Sequence, residues 1–209
     1  MTPEEICTLI QMSPEVFSDM FEESLTDGVE HSATICAEPD KIHLEDRCYG
    51  EDDCSVELSS MKCKSGEPVA HVHTHIQEDN PYYDRLSLTD ITGWLTNDFG
   101  VECLSHKDGI NCFTSPGNPS IKGASKVCTE FQGKKLTKNV MRKINSEIDK
   151  LPDVRTGRIY LRDLYNDNKT DPKLTKVPFW TGKEYFEALE YLNKVSEIKP
   201  CLKDRPRRK

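Results

Sequence analysis

Residues 69–91 read VAHVHTHIQEDNPYYDRLSLTDI and combine two patterns that decide the fold of this chain. In the first part, histidine recurs at every second position, at His71, His73 and His75. Because side chains alternate between the two faces of a β-strand, a strand here places all three imidazoles on one face. In the last part, SLTDI begins the apolar spacing of a helix. The stretch therefore predicts a strand, a loop and a helix, with histidines collected on one side of the strand.

The sequence upstream predicts a helix followed by strands. SPEVFSDMFEESLTDG, residues 13–28, has Ser13 as an N-cap, Pro14 at the first helical position and Gly28 as a stop. VEHSATICA, residues 29–37, alternates apolar and polar residues and predicts a strand. A short strand around 42–44 and another within CSVELSSMKCK, residues 54–64, are expected before the histidine strand.

The sequence downstream continues the same fold and then changes in character. The helix that begins at SLTDI is expected to end at Gly100, and VECLSHKDGINCFTSP predicts two strands joined at KDG. We therefore expect an α/β (α+β) domain over residues 1–118, with a mixed β-sheet flanked by helices. Residues 119–209 are expected to form a mostly helical C-terminal extension that binds a substrate or partner, because KKLTKNVMRKINSEIDKL and GKEYFEALEYLNKVSEI have helical periodicity. GRIYLRDLY, within that extension, is compatible with a strand or a short helix.

Charge and composition exclude some classes of function. The formal net charge of −8 gives no reason to expect nucleic acid as a partner, and the basic end KDRPRRK is interpreted as a solvated terminus. No apolar run approaches the roughly 18 residues that span a bilayer, so no membrane is expected. The start of the chain does not resemble a signal peptide, which predicts a cytoplasmic location. Nine cysteines at irregular spacings, without a C-x-x-C pair, are then expected to be reduced thiols.

Ser87 and Asp90 have two interpretations. A serine followed three residues later by an acidic residue is close to a capping box, so both side chains could serve only to satisfy free N–H groups of the helix. The histidines support a second interpretation. Two imidazoles on alternate residues of one strand point the same way and can bind one zinc ion, and a carboxylate at the start of the following helix could supply a third ligand.

The pattern H-x-H, loop, S-x-x-D, with a glutamate on an earlier strand, resembles the JAMM (MPN-plus, Mov34/JAB) metalloprotease family. The resemblance covers roughly residues 13–115 and includes the order of helix, glutamate strand, histidine strand and helix. It implies a JAMM/cytidine-deaminase-like layer architecture. It also implies Zn2+ as the cofactor, with His73, His75 and Asp90 as ligands and with Glu30 and Ser87 as catalytic residues.

The resemblance implies a zinc-dependent metallopeptidase, a hydrolase that cleaves peptide or isopeptide bonds next to a ubiquitin-like protein. Glu30 would act as general base toward a zinc-activated water, and Ser87 would donate a hydrogen bond to the developing oxyanion. The expected partner is a protein or peptide substrate. The sequence does not specify the oligomeric state.

The sequence also departs from the family pattern. Ile76 follows the second histidine where the family has proline, and the loop of eleven residues between His75 and Ser87 is longer than usual. Glu30 is also compatible with a simple charge at the edge of a strand.

Three alternatives stay open. One is a non-catalytic MPN-type scaffold, and another is a structural metal-binding module. The third is a PHP-type metal phosphoesterase, which would use His71 and His73 as its opening H-x-H; after His75, only His106 remains downstream.

Overall fold

The computed structural model describes residues 1–50, 62–77, 80–167 and 180–203, which contain a mixed β-sheet and helices. In chain order, the elements are α1 (Pro3–Met12), α2 (Glu15–Asp27), β1 (His31–Ala37), β2 (Ile42–Tyr49), β3 (Glu67–Thr74), α3 (Leu88–Asn97), β4 (Val101–His106), β5 (Gly109–Thr114), α4 (Pro119–Phe131), α5 (Lys138–Ile148), α6 (Val154–Asp167), α7 (Gly182–Val195) and β6 (Lys199–Leu202). The predicted mixed α/β (α+β) class is confirmed at this level.

The sheet has six strands within the described ranges, in the order β2-β1-β3-β4-β5-β6. Only the β3–β4 pair is parallel, and the other four pairs are antiparallel. A parallel pair needs a long connection, and α3 lies within the segment that joins β3 to β4. The predicted hairpin at KDG joins β4 to β5. The histidine strand, β3, lies between β1 and β4 and is therefore an interior strand of the sheet.

Two compact units divide the chain. The first comprises Met1–Leu86, Phe99–Ser115 and Ile198–Lys209, and it includes the whole sheet with α1 and α2. The second comprises Ser87–Asp98 and Pro116–Glu197, and it includes α3 to α7. The predicted boundary after residue 118 stays a prediction.

The core of the first unit lies between α1, α2 and one face of the sheet. Alternate residues of the strands supply the apolar side of the sheet, and both helices cover it; the buried members include Ile6, Ile10, Phe17, Met20, Ala33, Ile35, Ala70, Val72, Val101 and Ile110. Burying one large apolar side chain contributes about 1.5–3 kcal/mol. Since the apolar residues occupy this face, the polar members of the same strands are directed to the other one.

The two N-terminal helices show what local sequence can specify. Helix α2 ends at Gly28, as predicted, because that residue has φ of 71°, a left-handed conformation that glycine adopts without a Cβ clash. Its N-cap is Pro14 rather than Ser13. Helix α1 was not predicted, although Thr2 and Glu5 form a capping box at its start.

The second unit is helical. Its core is formed by α4, α5 and α6, with Ala124, Ile144, Ile148, Leu161 and Tyr165 buried. GRIYLRDLY lies within α6, which decides in favour of helix.

Strand β6 of the first unit was not predicted; it pairs with β5, so its position depends on a partner remote in sequence. The strand expected in residues 54–64 falls largely outside the described residues.

The expectation of reduced cysteines is wrong for six of the nine. Disulfides join Cys7 to Cys201, Cys36 to Cys63 and Cys103 to Cys112. Cys48 and Cys128 are free, and Cys54 lies outside the described residues. The first pair is separated by 194 positions in the sequence. Spacing along the chain does not reveal such a pairing, because the fold alone brings the two sulfurs together.

None of the described helices is both long enough and apolar enough to cross a bilayer.

Candidate functional site

The polar face of the sheet carries two of the histidines that the sequence singled out. In the β1–β3 pairing, Ser32 lies opposite His73 and Thr34 opposite His71. In the β3–β4 pairing, His71 lies opposite Glu102. Residues opposite one another in a sheet share a face, so these side chains lie on the side opposite the apolar core. The prediction that His71 and His73 share one face of a strand is therefore confirmed.

His73 is buried on β3 and contacts a carboxylate. Its Nδ1 lies 2.9 Å from Oε1 of Glu102 on β4. An ionised carboxylate only accepts hydrogen bonds, so the imidazole donates from Nδ1 and, in its neutral form, carries its lone pair on Nε2. A metal-binding histidine in proteins has this arrangement, in which one ring nitrogen is held by an oxygen and the other binds the ion.

His75 follows the last residue of β3 and is held by two backbone contacts. Its backbone N–H donates to the carbonyl of Ser105 at 2.9 Å. Its Nδ1 lies 3.1 Å from the carbonyl oxygen of Tyr83. A carbonyl also accepts only, so His75 has the same tautomer as His73. The centroids of the two rings are 5.1 Å apart. The two predicted ligand histidines are thus neighbours, and an oxygen atom lies at hydrogen-bond distance from Nδ1 of each.

Glu102 is fully buried between two imidazoles. His71 Nδ1 lies 2.8 Å from the same oxygen, Oε1, that His73 contacts. Burial alone raises the pKa of the Glu102 carboxyl, but the charges and hydrogen bonds of His71 and His73 hold that pKa below its usual value. The carboxylate is therefore the ionised form that accepts from both rings.

Glu30 precedes β1 directly and is 7% exposed. Its backbone carbonyl accepts a hydrogen bond from Gly50 N at 2.7 Å, which fixes the entry into the strand. Counting back from Ser32, which lies opposite His73, the alternation places Glu30 on the histidine face at the end near His75. Its low exposure does not fit a simple solvated charge at the edge of a strand.

Ser87 and Asp90 form a complete capping box at the start of α3. Ser87 Oγ accepts from Asp90 N at 3.1 Å, and Asp90 Oδ2 accepts from Ser87 N at 2.6 Å. The interpretation as a helix cap is confirmed. In this cap the serine oxygen is the acceptor, so the cap does not use the proton of the serine hydroxyl.

The predicted site residues are divided between the two units. Glu30, His73 and His75 belong to the first, whereas Ser87 and Asp90 belong to the second. The structure brings the two histidines together, and it brings the serine and the aspartate together. The ligand set that joins the two pairs stays a prediction.

Histidine, glutamate and aspartate side chains of the described chain form groups that could hold a metal ion. The imidazole pair fits zinc, because each ring has Nδ1 held by an oxygen, and the neutral form of such a ring has the unprotonated Nε2 that ligation requires. A separate group of Cys36, His43 and Glu45 does not fit. The Cys36 sulfur is bonded to Cys63 and is no thiolate, and His43 Nε2 is paired with the Glu45 carboxylate at 2.9 Å.

His106 ends β4 and is buried. Its Nδ1 accepts from the backbone N–H of Asp108 at 3.3 Å, and its ring lies 5.5 Å from that of Tyr83. Since Nδ1 accepts, the proton of a neutral His106 is on Nε2, the reverse of His73 and His75. This tautomer does not match the metal-binding state of the other two.

Glu102 was not predicted as a site residue, and His71 had a predicted role only in the PHP-type alternative. One signal was present: VECLSH alternates, and it places Glu102 and His106 on one side of the predicted strand. The local sequence does not indicate which strand pairs with this one. In the structure it is β3, which lies parallel to β4.

No protein-family model matches this chain, and no curated protein matches it either.

Proposed function

We propose that this chain is a JAMM-type zinc metallopeptidase that hydrolyses a peptide or isopeptide bond. The observation that supports it most is the shared state of His73 and His75, whose Nδ1 atoms are both taken by oxygen acceptors. Two neighbouring histidines fixed in the ligating tautomer are more specific than the H-x-H spacing alone.

The order of elements supports the same proposal. Helix α2 leads to Glu30, β1 pairs with β3, and the segment after β3 leads to the Ser87–Asp90 box of α3. This succession is similar to the JAMM/cytidine-deaminase-like layer architecture, which we include in the proposal.

Zinc would be held by His73, His75 and Asp90, and its chemistry would be that of a Lewis acid that also lowers the pKa of water. The Glu30 carboxylate would accept the proton of the attacking water and transfer it to the departing amine nitrogen. The Ser87 hydroxyl would donate a hydrogen bond to the oxygen of the scissile carbonyl as negative charge develops there. Its acceptor side is used by Asp90 N, which orients the hydroxyl.

The substrate in this proposal is a protein or peptide, with conjugates of ubiquitin-like proteins as the first class to test. This choice rests on the resemblance to the JAMM family. Residues 119–209 are proposed as the part that binds the substrate or a partner.

The disulfides do not fit the predicted cytoplasmic location, for which reduced cysteines were expected. Disulfides persist in oxidising compartments and are rare in the reducing cytoplasm. With three disulfides present, we favour an oxidising environment for this chain.

The test combines metal analysis with two substitutions. Purified protein is expected to contain one zinc per chain and to cleave ubiquitin-like conjugates or linear fusions. Glu30→Gln should lower the rate by about 10²-fold or more and keep the zinc, because the amide cannot accept the proton. His75→Ala should lose both zinc and activity.

Glu67→Gln is the matched control, since Glu67 is an exposed glutamate at the start of β3. It should behave as the wild type. A fully active Glu30→Gln variant, or wild-type protein that binds no stoichiometric metal, would contradict the proposal. Stoichiometric zinc without hydrolysis of any conjugate would favour the non-catalytic scaffold.

A further inference from the structure

Three buried side chains on β3 and β4 form a hydrogen-bonded cluster, which joins the predicted ligand His73 to His71 and Glu102. His71 and Glu102 are fully buried, and His73 is 3% exposed. One carboxylate oxygen, Glu102 Oε1, receives Nδ1 of His71 at 2.8 Å and Nδ1 of His73 at 2.9 Å. The rings of the two histidines are stacked with centroids 6.0 Å apart. The parallel register, which sets His71 opposite Glu102, creates this cluster.

The distances favour hydrogen bonding over a metal site at this position. In tetrahedral zinc sites, nitrogen and oxygen ligands lie at about 2.0–2.1 Å from the ion, which separates the ligand atoms by about 3.3 Å. The separations of 2.8 and 2.9 Å are shorter than that and match charge-assisted hydrogen bonds. Glu102 is therefore an acceptor for two imidazole N–H groups.

The cluster is only partly satisfied. Among the described residues, Glu102 Oε2 and His71 Nε2 have no hydrogen-bond partner. Burying a carboxylate is unfavourable unless nearby donors or positive charge offset the lost hydration. Two imidazole N–H donors on one oxygen offset part of this loss. A cation bound to Nε2 of His73 would offset more of the lost hydration, because only one imidazole ring would separate its positive charge from the Glu102 carboxylate.

We propose that Glu102 is a positioning residue for the metal centre: it holds His73 in the Nδ1–H tautomer, with His71 as a second donor that anchors the carboxylate. This inference rests on the proposed function, in which His73 binds zinc. It assigns the buried glutamate and the third histidine of the HVHTH stretch to one task.

His71 contributes through packing as well as through its hydrogen bond. Its ring stacks against Phe99 with the centroids 5.9 Å apart, which holds the imidazole in place next to Glu102. A phenylalanine at position 71 would retain the stacking and lose the N–H donor. His71→Phe therefore separates the donor from the packing.

The first experiment reads the tautomers directly in the metal-free wild-type protein. Long-range ¹H–¹⁵N correlation spectra of histidine-labelled protein distinguish Nδ1–H from Nε2–H rings, and the His71→Phe and His73→Phe variants assign the signals. We expect Nδ1–H for both residues. An Nε2–H ring at His73 overturns the inference, and this result requires no variant of Glu102.

The second experiment measures zinc affinity by competition with a chromogenic chelator. Glu102→Gln removes the negative charge and places an N–H donor at one of the two carboxylate oxygen positions, so the remaining oxygen is a weaker acceptor for the two rings. We expect zinc affinity to fall by about 10- to 100-fold, as for other residues that orient metal-binding histidines. His71→Phe should give a smaller loss. Glu102→Asp, which keeps the carboxylate, should restore part of the affinity.

Glu67→Gln is again the control and should bind zinc as the wild type does. Unchanged zinc affinity in Glu102→Gln overturns the inference and leaves the proposed function intact. The opposite combination, Nδ1–H at His73 in a chain without affinity for zinc, supports the tautomer assignment and overturns the proposed function. If Glu102→Gln does not fold, the tautomers of the wild type decide.

Discussion

Ser87 is a residue for which two roles can be separated by experiment. Its oxygen caps α3 by accepting from Asp90 N, and the proposed catalytic role needs the hydroxyl proton. Another capping box offers a comparison, since Thr181 Oγ1 accepts from Glu184 N at 3.3 Å at the start of α7. Both caps belong to helices of the second unit.

Ser87→Ala and Thr181→Ala should therefore lose similar stability and differ in activity. Removing either cap is expected to lower the free energy of unfolding by about 1 kcal/mol. Only Ser87→Ala should also lower the rate of hydrolysis, by about 10²- to 10³-fold, as for loss of an oxyanion donor. Chemical unfolding and steady-state kinetics measure the two effects. Equal activity in the two variants would leave Ser87 as a cap alone.

His31 predicts a pH dependence of stability. Burial lowers the pKa of this imidazole, and the carboxylates of Asp27 and Glu23 offset only part of the effect. The folded pKa lies below the unfolded value of about 6.5, so the unfolded chain takes up a proton first as the pH falls. The contribution of His31 to stability is therefore present above pH 6.5 and is lost below it.

The measurement is chemical unfolding of the wild type and of His31→Gln between pH 7.5 and pH 5.5. Below about pH 6.5, the free energy of unfolding of the wild type should fall more steeply than that of the variant. The difference in slope is at most about 1.4 kcal/mol per pH unit, the value for one proton. Parallel profiles would show that His31 titrates equally in both states.

At the scale of elements, the turn before β3 contains a glycine, Gly66, at a position that does not accommodate a Cβ atom. Gly66 has φ of +73°, and a Cβ built there lies 2.3 Å from the carbonyl oxygen of Ala37. Gly28 at the end of α2 has nearly the same φ, +71°, with nothing within 4 Å of its Cβ position. The two residues share the backbone strain of an L-residue at positive φ and differ in the space available.

Gly28→Ala should therefore lower the free energy of unfolding by about 1 kcal/mol, and Gly66→Ala should lower it by more. The additional loss comes from displacing either β1 or the turn that leads into the histidine strand. Urea unfolding measures both, and zinc binding provides a second readout for Gly66→Ala. Equal losses in the two variants would mean that the turn relaxes without affecting Ala37.

At the scale of the whole molecule, the Cys7–Cys201 disulfide joins α1 to β6 and closes most of the chain into a loop. The sequence separation of 194 implies a large loss of entropy in the unfolded chain, which stabilises the fold by about 3–5 kcal/mol. Strand β6 is four residues long and lies at the edge of the sheet, where β5 is its one partner strand among the described residues.

The double variant Cys7→Ala/Cys201→Ala should lose about that much stability under oxidising conditions, whereas Cys48→Ala, which removes a free thiol, should change it little. Peptide mapping without reduction should recover the linked pairs 7–201, 36–63 and 103–112. Alkylation of all six cysteines in the native protein without reductant would contradict the pairing and restore the expectation of reduced thiols.

The sequence by itself determined the features that depend on near neighbours. Alternation in HVHTH predicted a strand with one histidine face, Ser87 and Asp90 predicted a cap, and KDG predicted a hairpin. The described structure contains the cap, the hairpin and a strand that carries His71 and His73 and ends one residue before His75. Each depends on the dihedral preferences and hydrogen bonds of a few consecutive residues. Local energetics therefore suffices to specify them.

Only the tertiary structure decided the features that depend on the pairing of remote segments. The parallel register of β3 with β4 brings Glu102 to His71 and His73, and the edge position of β6 brings Cys201 to Cys7. A pattern within β4 or β6 contains no record of which strand lies beside it, because that choice minimises the free energy of the whole core. The histidine pair was thus predictable from the sequence, and the carboxylate that orients it was not.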